Sequence, residues 1–159
     1  MKIRVIAVGK IKEPYMKKGI EEFRKRLSRY CRLEIIEVKD EKAPEGLSQM
    51  QKQAVKEREA DRVLKYIRHT DHVIALAIDG KSFTSEEFAQ RLDSLAIGGC
   101  SNICFVIGGS LGLHDKVLKR ADMELSFSAF TFPHQLMRLI LLEQIYRAYR
   151  IINGQPYHK

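Results

Sequence analysis

Two loops rich in glycine or small residues follow apolar runs in the last third of this 159-residue chain. The first is Phe105-Val-Ile-Gly-Gly-Ser-Leu-Gly-Leu-His-Asp, and the second is Leu125-Ser-Phe-Ser-Ala-Phe-Thr-Phe-Pro-His-Gln-Leu-Met-Arg. Open α/β sheets bind small ligands beyond the carboxyl ends of their strands, so a cofactor would sit at loops of this kind. Gly108 and Gly109 stop the run from Asn102 to Ile107, permit positive φ and leave backbone N–H groups free to meet a ligand. An ordinary strand-to-helix turn ending at Gly112 accounts for the two glycines equally well. The spacing Gly108, Gly109, Gly112 is not G-x-G-x-x-G, and no Gly-Lys-Ser/Thr follows, which removes both standard nucleotide fingerprints.

The other reactive side chains form no array. His69, His72, His114, His134 and His158 lack an H-E-x-x-H spacing, and Cys100-x-x-x-Cys104 with a distant Cys31 lacks the ligand pattern of a zinc site, so no metal is expected. Three cysteines in a chain without a secretory pattern at Lys2-Ile-Arg-Val read as incidental or buried thiols of a cytoplasmic protein. The formal charge of +8 is placed very unevenly: residues 1–32 hold 11 Lys or Arg against 3 Asp or Glu, and the remainder balances. Such a local surplus suits phosphate backbones, although a solvated helix face has the same composition.

The elements that must position these loops are legible from periodicity. Residues 2–8 read as a strand with Ile3, Val5 and Ala7 on one face and Ile6 and Val8 on the other. A helix starting near Pro14 puts Tyr15, Ile20, Phe23, Leu27 and Tyr30 inward and Lys17, Lys18, Arg24, Lys25, Arg26 and Arg29 outward. Leu33 to Val38 is a second strand, and a polar helix from about Ser48 to Arg68 follows, with a thin stripe through Ala54, Val63, Leu64 and Ile67. His72 to Ile78 is the third strand, turned by Asp79-Gly80 toward a helix capped by Thr84 or Ser85. Gly98 and Gly99 end that helix, and the fourth strand leads into the Gly108 loop. A short helix over about His114 to Ala121 and a fifth strand then precede a final helix capped by Thr131, with Leu136, Leu139, Ile140, Ile145, Tyr146, Tyr149 and Ile152 along its stripe. Arg138, Glu143, Arg147 and Arg150 break any run of membrane length. Alternating strands and helices in 159 residues predict a single α/β domain over 1–159, with a mainly parallel sheet and helices on both faces.

The segments Phe105-Val-Ile-Gly-Gly-Ser-x-Gly-Leu and Leu125-Ser-Phe-Ser-x-x-Thr-Phe-Pro-His-Gln-x-x-Arg, with the ending Tyr157-His158-Lys159, resemble the ribosomal RNA large-subunit methyltransferase H family of the SPOUT superfamily. Ile3-Arg-Val-Ile-Ala-Val-Gly-Lys and Asp40-Glu-Lys-Ala-Pro-Glu extend the resemblance along the whole chain. The resemblance implies a C-terminal trefoil knot, a homodimer, and methyl transfer from S-adenosylmethionine to N3 of a pseudouridine in large-subunit ribosomal RNA within the assembled ribosome. It implies cofactor contacts at Leu76, at Gly108, and at Phe127, Ser128, Ala129, Phe130, Thr131 and Phe132, although Leu76 also reads as a core strand residue. A uracil-like imide must lose its N3 proton, and His158, flanked by Tyr157 and Lys159 as substrate contacts, is the candidate base unless the terminus is frayed. Arg138, one turn beyond His134, is expected at an RNA phosphate or the dimer interface.

Overall fold

The computed structural model describes residues 1–158. Five strands form one wholly parallel sheet in the order β2-β1-β4-β3-β5: β1 (Lys2–Val8), β2 (Arg32–Val38), β3 (His72–Ser82), β4 (Asn102–Ile107) and β5 (Met123–Ser126). The connecting helices are α1 (Pro14–Leu27), α2 (Gln49–Leu64), α3 (Ser85–Ile97), α4 (Asp115–Arg120) and α5 (His134–Ile152). Strands covered by helices on both faces and paired on both sides are largely apolar throughout, and β1, β4 and the first part of β3 hold these interior places. Ile3, Val5 and Ala7 enter the larger core with Ile20 and Leu27 of α1, Phe88 and Leu92 of α3, and Leu141 and Ile145 of α5. Ile6 and Val8 enter the smaller core with Ala60 and Val63 of α2 and Val117 of α4. Each such Leu or Ile stabilises the fold by about 1.5–3 kcal/mol through burial.

Local chemistry sets the helix boundaries. Ser48 and Thr84 each form a capping box, with Gln51 and Glu87 as the reciprocal partners, and His114 Nδ1 accepts from the Lys116 N–H to start α4. Several expectations need correction. Tyr15 is 64% exposed, and Met16 takes the inward position on α1. On α2 the buried row runs through Val55, Ala60 and Val63 instead of Ala54. On α5 the fully buried residues include Leu141, Leu142 and Ala148, because this helix packs against α1, α3 and the sheet together, and one stripe cannot serve three neighbours. Pro133, with no side-chain cap, precedes α5, while Thr131 stays exposed in the loop.

Asp79-Gly80 is not a turn. The strand continues to Ser82, and Leu125 pairs with both Leu76 and Lys81, so the residues between them bulge out of the ladder. Gly80 is required by close approach: a Cβ there would lie 2.7 Å from the carbonyl carbon of Glu124.

Arg138 is also displaced from its expected role. It is 1% exposed, with Nη1 donating to Glu37 Oε2 at 2.5 Å and Nη2 donating to the Gly9 carbonyl at 3.0 Å. Burial lowers its pKa against the upward pull of Glu37. Both terminal nitrogens are therefore committed to fastening α5 onto the carboxyl ends of β1 and β2, and no face remains for an RNA phosphate. Arg138→Met is expected to cost about 2–4 kcal/mol, the range for stranding a partner of a buried pair, with the low end favoured because Glu37 reaches water. Chemical denaturation of the two proteins measures the difference.

Candidate active site

All five strands point the same way, so their carboxyl ends share one edge of the sheet. A cleft of about 450 Å³ opens there, within the ordinary range for small-ligand sites. Its walls come from the β3 bulge, the Gly109–Leu113 loop, the segment from Glu124 to Phe132, and the first turn of α5. Leu76 lines it together with Phe127, Ser128, Phe130, Thr131 and Phe132 from a single segment much later in the chain. Leu76 belongs at once to the cleft and to the edge of the larger core. Ala129 is exposed and outside the lining.

Gly108 acts behind the wall. Its Cβ position would lie 2.8 Å from the Gly112 carbonyl carbon, so the loop closes over it, and Gly112 at φ +85° donates its N–H to the Gly109 carbonyl at 3.1 Å. The Glu59 carboxylate supports this loop from below: it accepts from the Glu41 N–H at 3.0 Å and sits 3.2 Å from where a Gly109 Cβ would project. Burial raises the pKa of Glu59. In the third wall Ser126 Oγ donates to the Ser128 carbonyl, and the Phe130 N–H donates to Ser128 Oγ, which fixes the turn that presents the phenylalanines. Apolar walls, loop amides and hydroxyls can hold a flat heteroaromatic ring with a polar edge, and the carboxylates Asp79 and Glu124 on the lining favour a cationic centre.

Sequence reasoning did not assign Ile78, Asp79, Ser110, Leu111, Glu124, His134 or Met137 to this cleft. Most are neighbours of predicted residues and carried no signal of their own. His134, already notable beside Pro133, has its pKa lowered by burial and by the Arg138 charge, so its imidazole is neutral near pH 7.

A second cluster gathers around the chain end. Tyr157 Oη donates to Glu143 Oε1 at 3.0 Å, its ring lies edge-on to Tyr146 at 4.9 Å, and the Arg147 guanidinium sits 4.8 Å from its centroid. Arg147 Nη1 lies 3.2 Å from His158 Nδ1, and Glu86 Oε1 lies 2.7 Å from His158 Nε2. Arginine can only donate, so Nδ1 accepts and Nε2 carries the proton that Glu86 receives. The Glu86 N–H and His158 together hold the Glu86 carboxyl below its usual range. Glu143 and Arg147 were signalled only by their i, i+4 spacing, and Glu86 by nothing in the sequence. Lys159 lies outside the described residues.

This tail cluster is not at the cleft of its own chain. Met137 borders the cleft and Arg147 underlies the tail, a separation of about 15 Å along α5. Among the described residues no group of His, Cys, Asp or Glu is arranged to hold a metal, and no helix is long and apolar enough to cross a membrane. All three cysteines are free; burial pushes the Cys104 thiol up to about 12 and Cys31 up to about 11.

Residues 1–158 match the family model described as "Predicted SPOUT methyltransferase". The chain is 63% identical over 159 residues, covering 100% of both chains, to the Ribosomal RNA large subunit methyltransferase H of Clostridioides difficile (strain 630). It is 58% identical, again over 100% of both, to the protein of that name in Bacillus pumilus (strain SAFR-032). Among solved structures it resembles a probable methylase family protein from Haemophilus influenzae Rd KW20, with a TM-score of 0.53 and 14% identity, covering 99% of this chain and 70% of that one. At that identity the last likeness concerns the fold alone.

Proposed function

The chain belongs to the SPOUT methyltransferases, within the ribosomal RNA large-subunit methyltransferase H family, and on that footing we propose that it methylates N3 of a pseudouridine in large-subunit ribosomal RNA, with S-adenosylmethionine as donor. The observation that carries the reading is the cleft at the carboxyl edge of the sheet, where residues of the three expected loops converge. Its residues suit the donor: Leu76, Phe127, Phe130 and Phe132 would flank the adenine, the Gly109–Leu113 loop and Ser128 would supply hydrogen-bonding groups, and Asp79 and Glu124 would favour the sulfonium. When bound, S-adenosylmethionine supplies an electrophilic methyl group. The C-terminal segment is threaded as a trefoil knot in this reading, and the ribosomal substrate places the protein in the cytoplasm.

The protein's own part is to orient the acceptor and to manage one proton. Methyl transfer at N3 requires loss of the imide proton, and an in-line approach then makes positioning the larger contribution. His158 is the proton acceptor in this scheme. Nδ1 faces Arg147, so it must leave that contact before it can take a proton, while Glu86 on Nε2 would stabilise the imidazolium. Tyr157 offers a ring for stacking on an unstacked base. Because the tail lies along α5 away from its own cleft, a second copy of the chain supplies it, and the working enzyme is a homodimer.

Calorimetric titration with S-adenosylmethionine, S-adenosylhomocysteine and ATP, followed by methyl-transfer assays on ribosomes with and without the pseudouridine, tests the reading. Binding of the first two ligands and pseudouridine-dependent transfer are expected. Ribosome binding without cofactor binding would mean a non-catalytic factor, and preference for ATP would mean a different enzyme.

A further inference from the structure

The cations of the N-terminal third do not spread evenly over the surface. A concavity of about 650 Å³ opens where α1 ends and β2 begins, and among the described residues its lining includes Arg24, Arg29, Tyr30 and Arg32 but no carboxylate. A smaller hollow of about 150 Å³ shares Arg29 and Tyr30 with it and continues toward Lys25, Tyr146 and Arg150. The carboxylates nearby are taken: Glu22 holds Arg26 at 2.9 Å, and Glu21 lies 3.5 Å from Arg24. Among the described residues Lys25, Arg29 and Arg32 are exposed and form no ion pair.

This groove is continuous with the tail. Tyr30 Oη donates to Gln155 Oε1, Arg150 Nη2 donates to the Pro156 carbonyl at 2.8 Å, and Arg150 Nη1 donates to Tyr30 Oη at 3.1 Å. Tyr30 is packed flat on Tyr149 with centroids 5.4 Å apart, and Tyr146 stands between Tyr30 and Tyr157. The same contacts that root Tyr157 and His158 thus form one wall of the groove.

We propose that the groove bounded by Lys25, Arg29 and Arg32 grips the phosphate backbone of the substrate RNA, on the same surface of the protomer that presents the tail. The proposal rests on the ribosomal RNA reading above and adds the place of contact. Guanidinium forks match phosphate oxygens two at a time, and the one carboxylate on the wall among the described residues, Glu22, is paired with Arg26, which leaves the local potential positive. Lys17 and Lys18 lie earlier on α1 and do not line the groove, so they contribute at most a diffuse field.

The test uses Arg29→Glu with Arg32→Glu, against a control of equal charge change, Lys65→Glu with Lys119→Glu, whose exposed positions belong to the layer of α2 and α4 on the other face of the sheet. Affinity is measured across a salt series for purified ribosomes and for protein-free large-subunit RNA. The groove pair should weaken both by tenfold or more and reduce the slope of log K against log salt by about 2, one unit for each lost phosphate contact. The control pair should change affinity by less than about threefold. S-adenosylmethionine affinity and the melting temperature report folding, and the milder Arg29→Gln with Arg32→Gln replaces the reversal if either shifts. Equal losses from the two pairs would overturn the groove, as would a loss on ribosomes with none on bare RNA, which would assign the groove to a ribosomal protein. A wild-type protein that methylates ribosomes while the groove pair behaves as the control defeats the groove alone. A wild-type protein that neither binds nor methylates them defeats the function reading.

Discussion

Deleting residues 157–159 is expected to lower single-turnover methylation by about 100-fold or more, the usual scale for losing a positioned acid or base, while the fold, the dimer and cofactor binding persist. The structural cost is small. Tyr157 and His158 belong to neither buried core cluster, and their contacts with Arg147, Glu143 and Glu86 are exposed or half-buried pairs of the kind that contribute little to stability. Among the described residues no tail residue lines the cofactor cleft, so titration with S-adenosylmethionine should be unchanged. Mixing the deletion with a variant disabled in the cleft sharpens the result. If the tail acts across the dimer, subunit exchange restores activity in the mixed dimers, although neither parent works alone. Undiminished methylation by the truncated chain would reduce the tail to a frayed end, and sedimentation as a monomer by an active enzyme would remove the shared site altogether.

Much of this arrangement was legible in the sequence, for identifiable reasons. The β1 pattern assigned Ile3, Val5 and Ala7 to one core and Ile6 and Val8 to the other because a central parallel strand is apolar on both faces. The capping box at Thr84 and Glu87 and the stop at Gly98 are local chemistry, readable without tertiary knowledge. The losses were tertiary. Asp79-Gly80 has turn composition, but pairing with β5 keeps it in the strand, and Gly80 answers to the Glu124 backbone instead of to a turn. Arg138 has the composition of a phosphate contact, but its partners Glu37 and Gly9 are more than 100 positions away. The position of His158 on Arg147 and Glu86 depends on the chain end folding back along α5, which no periodicity encodes.

Gly108→Ala should cost about 10- to 100-fold in cofactor affinity, whereas Gly109→Ala should cost less than about tenfold, although the two glycines are adjacent. The difference lies in what each new methyl meets. At Gly108 it lands 2.8 Å from the Gly112 carbonyl carbon, 3.0 Å from its oxygen and 3.1 Å from the Leu113 nitrogen, all backbone atoms of the loop that closes the cleft. These cannot move without opening the loop, and overpacking of this kind costs about 1–3 kcal/mol. At Gly109 the neighbours are Glu59 carboxylate oxygens at 3.2 and 3.3 Å and a Val8 methyl at 3.2 Å, side-chain atoms that can yield by a few tenths of an ångström. Gly108→Ala should therefore also lower the melting temperature by a few degrees, on the scale of about 2–4 °C per kcal/mol for a chain of this size. Calorimetric titration with S-adenosylmethionine and a thermal melt on both variants decide the matter. A Gly108→Ala protein that binds the cofactor normally would show that the glycine loop does not form the cofactor wall, and the assignment of this cleft would fall with it.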